Sequence, residues 1–293
     1  MGKEKERHIM KQARLERATL QGIELEYELW GTGEEPVVLV HHGVGVDWFR
    51  PLLGEPALTD DYRVLSYHRV GYGGSSRATG PLDFEQEAAH CRSLMRHLGI
   101  ERAHVVGHSA SAMIALQLAL DTPDAVHTLA LLESARPALQ NERQAEFVSS
   151  AVRPALERYG AGDKAGAVDT WLRGVGGSDY RTALDRALPQ AFDQAVASAD
   201  TFFGHELSAV QQWAFTQEDA GRVTQPALLV LGDRTDPIFR ERRELLLAWL
   251  PNAEPFELPG ATHLLYLENP RGMAEALAAF FTRHPLYSTD HEY

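Results

Sequence analysis

The sequence predicts an α/β protein in which a mostly parallel sheet carries helices on both faces. Three observations carry that prediction. Short apolar runs of strand length alternate with segments of helical periodicity. Each apolar run is followed by glycine or a polar turn. One long stretch, residues 135–222, contains no strand-like run and reads as a helical insertion between two strands. Strand then helix, repeated, is how a parallel sheet buries both faces, because each crossover lays a helix back on the sheet.

Residues 1–17 are charged and weakly periodic, and read as a tail. Gly22 turns the chain into Ile23–Trp30, whose alternation fits a half-exposed strand. Val37–Val40, Arg63–Tyr67, Ala103–Val106, Thr128–Leu132 and Ala227–Leu231 read as short buried strands. Helices are expected at Phe84–Leu98, Ser109–Leu120, Phe239–Leu250 and Pro270–Phe281. This gives a core in two parts, 18–134 and 223–284, split by the 135–222 insertion and ending in a polar tail, 285–293. Aromatics concentrate in the insertion, Trp171, Phe202, Phe203 and Trp213 among them. Their simplest role is the insertion's own small core.

Composition excludes several function classes. With 41 acidic against 28 basic residues and a formal charge of −13, the surface is wrong for a nucleic-acid partner, which requires clustered cations. No apolar run approaches the roughly 18 residues of a membrane span, and the charged N-terminus lacks the apolar region of a signal peptide. The single cysteine, Cys91, has no partner for an internal disulfide, so a reducing, cytoplasmic compartment is expected. The glycines in Tyr67–Ser76 lack dinucleotide-binding spacing, and no lysine there suits a phosphate loop. Within that stretch Arg69 is expected in a local salt bridge. The neighbouring His41 and His42 are expected to point to opposite faces of an extended chain. No metal and no cofactor is expected.

Ser109 stands at the turn between the strand ending at Val106 and the following helix, in Gly107-His108-Ser109-Ala110-Ser111. Open α/β sheets bind ligands at the carboxyl ends of their strands. The small neighbours suit a sharp elbow of the GxSxG kind, although Ser111 stands where the second glycine is usual. A helix N-cap would equally suit serine. A nucleophilic serine needs a base, and the base needs a carboxylate to fix its tautomer. His263 lies on a loop at the same sheet edge. Asp236, after the strand Ala227–Leu231, is the preferred acid, and Glu133, after Thr128–Leu132, is the runner-up. Spacing does not separate them, because both end strands on the same side of the sheet. Backbone amides of Ala110 and of Val44, in the loop after Val37–Val40, are candidate oxyanion donors. Trp48 and Phe49 beside that loop join the insertion aromatics as candidate pocket residues.

Five segments together resemble the α/β-hydrolase family across about residues 20–284: His42-Gly43, His68-Arg69 with Gly71-Tyr72-Gly73, the Gly107–Ser111 elbow, Asp236-Pro237, and Gly260-Ala261-Thr262-His263 before Pro270. The resemblance implies an eight-stranded, mostly parallel sheet with a helical cap inserted after the sixth strand. It further implies Ser109 as nucleophile, His263 as base and then acid, and the carboxylate at Asp236 or Glu133. Serine at the elbow, in place of aspartate, argues against the epoxide hydrolase and haloalkane dehalogenase branch. The expected activity is hydrolysis of a carboxylic ester or lactone with an apolar or aromatic part, through an acyl-enzyme. Carbon–carbon hydrolysis, perhydrolysis and lyase chemistry on the same triad are alternatives within enzymes. A small-molecule receptor with little turnover is the alternative from another class.

Overall fold

The computed structural model describes residues 13–287. Eight strands form one sheet in the order β1-β2-β4-β3-β5-β6-β7-β8. They are β1 (Glu16–Leu20), β2 (Ile23–Trp30), β3 (Glu35–Val40), β4 (Tyr62–Tyr67), β5 (Ala103–His108), β6 (Val126–Leu132), β7 (Ala227–Gly232) and β8 (Ala253–Leu258). β1 and β2 form an antiparallel hairpin, β2 pairs antiparallel with β4, and every pairing from β4 to β8 is parallel.

The period of two along each strand sorts side chains between two cores. In β3, Val37 and Leu39 face one core while Val38 and Val40 face the other. Both sets are fully buried, which is why the central strands read as unbroken apolar runs. Helices α1 (Phe84–His97) and α2 (Ala110–Asp121) cover one face. The terminal helix Pro270–Arg283 packs on the other, against the short turns near Leu52 and Leu58.

Between β6 and β7 residues 142–222 form a series of short helices joined by turns and contain no strand, in keeping with the absence of strand-like runs. Two of its turns, Val148–Val152 and Phe202–Glu206, are π-helical, a local widening that recurs at functional sites. Among the described residues no helix is long and apolar enough to cross a membrane.

Two strands went unread in the sequence. β1 begins at Glu16, inside the segment expected to be a tail, and β8 follows the helix Pro237–Trp249. Both are edge strands with several exposed side chains, so neither has the apolar run of a buried strand. Residues 1–12 and 288–293 of the expected tails lie outside the described residues.

Candidate active site

The six parallel strands deliver six loops to one edge of the sheet, and the candidate catalytic and oxyanion residues sit on five of them, after β3, β5, β6, β7 and β8. Ser109 follows β5 directly and has φ 55° and ψ −117°, a conformation costly to a residue with a Cβ. The elbow is held on both sides. Ser109 N–H donates to Leu132 O at 2.9 Å, and Ala135 N–H donates to Ser109 O at 3.2 Å. A Cβ on Gly107 would lie 2.4 Å from Ser111 O, so that position requires glycine. Ser111, the departure from the usual elbow, accepts from His108 N–H at 2.9 Å and donates to His108 O at 3.0 Å. Its hydroxyl ties the turn where glycine would only leave room. The Ser109 side chain makes no capping hydrogen bond to α2; it faces two adjoining cavities that His263 also lines.

His263 is brought to this edge by the loop after β8. Asp233 anchors that loop by accepting from Gly260 and Ala261 N–H at 2.8 and 3.2 Å. Glu268 accepts from both the amide and the hydroxyl of Thr262 at 2.6 and 2.8 Å. The imidazole lies 4.2 Å from the Phe239 ring, almost parallel to it. Its Nδ1 is 2.7 Å from Glu133 Oε2.

The structure brings Glu133 to His263, and Asp236 elsewhere. Glu133 has φ 42°, a backbone twist at the end of β6 that turns its carboxylate across the top of β7. There it accepts from Gly232 N–H at 2.7 Å and Thr235 Oγ1 at 2.8 Å. Asp236, the preferred acid on sequence grounds, caps the helix Pro237–Trp249 and accepts from Ile238 N–H at 2.9 Å. The short side chain is spent on that cap, while the helix it starts carries Phe239 under His263. Burial, then the Arg242 cation, push the His263 pKa far below the ordinary histidine range. Burial pushes the Glu133 carboxyl up, against the Gly232 and Thr235 hydrogen bonds that favour its ionised form. A neutral imidazole whose Nδ1–H is held by Glu133 turns Nε2 away from that carboxylate.

Val44 and Ala110 both line the smaller cavity with Ser109. Val44 has φ 58° in a tight turn closed by Gly45 N–H to Gly43 O at 2.7 Å. Thus three of the four non-glycine residues with positive φ among the described residues, Val44, Ser109 and Glu133, lie in the loops after β3, β5 and β6, a concentration of backbone strain expected where geometry serves chemistry.

Of the expected pocket residues, Trp48 and Phe202 line the smaller cavity and Trp171 lines both. Phe49 instead packs under the loop against Tyr266 at 4.7 Å. Phe203 stacks on Tyr159 at 5.4 Å inside the insertion. Trp213 stacks on Phe215 and donates to the Gln117 side chain at 2.8 Å, so its polar N–H is satisfied on α2 and its ring lies off the cavities. Phe147, Phe239, Arg136 and Arg242 line the larger cavity and were not singled out; helical spacing alone cannot distinguish a cavity wall from a core contact.

Two further expectations are corrected. Arg69 forms no local pair. Its guanidinium meets Glu206, in the insertion, with Nη2 2.9 Å from both carboxylate oxygens; Tyr72 also donates to Glu206, and Arg69 Nε donates to His41 O at 2.6 Å. The His41 and His42 rings stack at 5.2 Å, because β3 ends at Val40 and strand alternation no longer applies. Among the described residues no group of three or more His, Cys, Asp or Glu is placed to hold a metal.

With this geometry in place, similarity to known proteins is informative. A solved esterase from Thermogutta terrifontis superposes with a TM-score of 0.77 at 21% identity, covering 93% of this chain and all of that one. The enol-lactonase of Burkholderia xenovorans LB400 gives 0.70 at 22%, covering 91% and 100%. In sequence, the dihydrolipoyllysine-residue acetyltransferase component of the acetoin cleaving system of Pseudomonas putida is 30% identical over 265 residues, 88% of this chain and 66% of that protein. The chain spans less than two-thirds of the length of the curated relatives first matched. The family model described as the alpha/beta hydrolase fold matches residues 36–270, and the chain belongs to that family.

Proposed function

We propose that this chain is a serine hydrolase acting on a carboxylic ester or lactone, with residues 135–222 as a cap over the site. One observation carries the reading: a strained elbow serine with an unengaged hydroxyl shares its cavities with a buried histidine held by a carboxylate at 2.7 Å. In the reaction Ser109 Oγ attacks the carbonyl carbon while its proton passes to His263 Nε2. Glu133 stabilises the imidazolium and keeps Nδ1 protonated. Amides of Ala110 and Val44 donate to the oxyanion. His263 returns the proton to the leaving alcohol oxygen as the carbon–oxygen bond breaks, leaving an acyl ester on Ser109. Water then gives a proton to His263 and attacks that ester, and Ser109 recovers its proton as the carboxylic acid departs. The esterase and enol-lactonase among the structural neighbours agree with an ester or lactone substrate.

The test is intact mass after incubation with a fluorophosphonate, alongside turnover of aliphatic and aromatic p-nitrophenyl esters. A single adduct and steady turnover, both lost in Ser109→Ala, are expected. Absence of both in the wild-type protein contradicts the assignment and leaves a binding protein.

A further inference from the structure

The larger cavity, of roughly 100 Å³, is walled mainly by apolar side chains and reaches from Ser109 and His263 to two arginines, Arg136 and Arg242. Arg242 is 5% exposed. Its guanidinium carbon lies 5.6 Å from the Phe147 ring centre and 5.4 Å from that of Phe239. One nitrogen, Nη2, donates to Gln144 Oε1 at 2.8 Å, and Nε has no partner. Arg136 is half-buried and gives its Nε–H to Val210 O at 2.7 Å. Among the described residues neither guanidinium has a carboxylate within ion-pair distance, whereas the fully buried Arg69 has Glu206.

Scarcity of acids does not explain this, since acidic residues outnumber basic ones by 41 to 28. A buried cation without a hydrogen-bonded counter-charge is strongly disfavoured; Asp236 is near enough to favour the Arg242 cation but makes no ion pair with it, and burial, helped by the Arg136 charge, still depresses the Arg242 pKa to about 10. The missing partner is therefore an anion that comes and goes. Guanidinium forks match a planar carboxylate with two parallel hydrogen bonds.

We propose that Arg242 and Arg136 bind a free carboxylate carried by the substrate, so that the preferred substrates are short anionic esters or lactones. The carboxylate sits at the arginine end, beneath the insertion, with the reacting carbonyl at Ser109. The word substrate rests on the hydrolase reading above; the anion site itself does not.

Two matched substrate pairs test the proposal, one with the charge on the acyl side (mono-p-nitrophenyl glutarate against p-nitrophenyl valerate) and one with it on the alcohol side (4-acetoxybenzoate against 4-acetoxybenzamide). The wild-type protein is expected to prefer the anionic member of at least one pair by tenfold or more in kcat/KM. Arg242→Met should remove at least tenfold of that ratio, and Arg242→Lys should retain part of it. If Arg242→Met does not fold by circular dichroism, Arg136→Met supplies the same ratio. Glutarate should also raise the Tm of Ser109→Ala, and less so when Arg242→Met is added. Hydrolysis of neutral and anionic esters with equal efficiency overturns the anion site and leaves the hydrolase reading intact. A glutarate shift that depends on Arg242, with no fluorophosphonate adduct and no turnover, overturns the hydrolase reading and leaves the anion site. Equal shifts with glutarate and inorganic phosphate, or shifts indifferent to Arg242, overturn the carboxylate assignment.

Discussion

At the scale of single residues, the choice between Glu133 and Asp236 was open in the sequence because each ends a strand at the same edge. Side-chain length and one backbone angle decide where each goes. Glu133 at φ 42° spans β7 to reach His263, while Asp236 folds back on Ile238 N–H. Glu133→Gln should therefore lower kcat by about 10³- to 10⁴-fold, the scale on which loss of a tautomer-fixing acid acts. Asp236→Asn should retain most activity, since asparagine caps helices as well as aspartate does. Steady-state rates on one ester separate the two. The low pKa of His263 also predicts a pH profile. A protonated imidazole cannot accept the serine proton, so kcat/KM falls as pH drops through the histidine pKa. Because burial and Arg242 depress that pKa, the acid limb should lie below pH 6.5, and Arg242→Met should move it upward.

At the scale of elements, the alternation of strands and helices was legible wherever a strand is buried on both faces, as in β3, β5, β6 and β7. It failed at β1 and β8, whose exposed positions break the apolar run. The insertion was legible by what it lacks, but its attachment to the core was not: Arg69 and Glu206 are 137 residues apart. No sequence spacing announces such a pair. Glu206, fully buried, fixes a π-helical turn of the insertion to the loop after β4 through Arg69 and Tyr72. Glu206→Ala leaves Arg69 a buried cation without its closest counter-charge. A loss of about 3–5 kcal/mol is expected, read as a lower midpoint in urea unfolding.

At the scale of the whole molecule, an unusual number of histidines is buried and held neutral. His41, His42, His104, His108 and His263 are each no more than 5% exposed, and burial is the leading cause pushing all five below the ordinary range. The unfolded chain takes up protons near pH 6.5 that the folded chain refuses, so stability is full above that pH and falls beneath it. One unit below, each such histidine costs on the order of 1 kcal/mol. Together the five reach on the order of 5 kcal/mol, comparable with the net stability of a domain. The Tm should drop steeply between pH 6.5 and 5.5. A Tm that is level across this interval contradicts the neutral histidine cluster.

The assignment of Ser109 as nucleophile is tested most directly by catching the acyl-enzyme. Rapid acid quench of the wild-type protein during turnover of a p-nitrophenyl ester, followed by intact mass and peptide mapping, should show one acyl group on Ser109. The accompanying burst of p-nitrophenol should not exceed one equivalent, and Ser109→Ala should show neither. A full burst without an acyl group on Ser109, or with the label on another residue, would contradict the account.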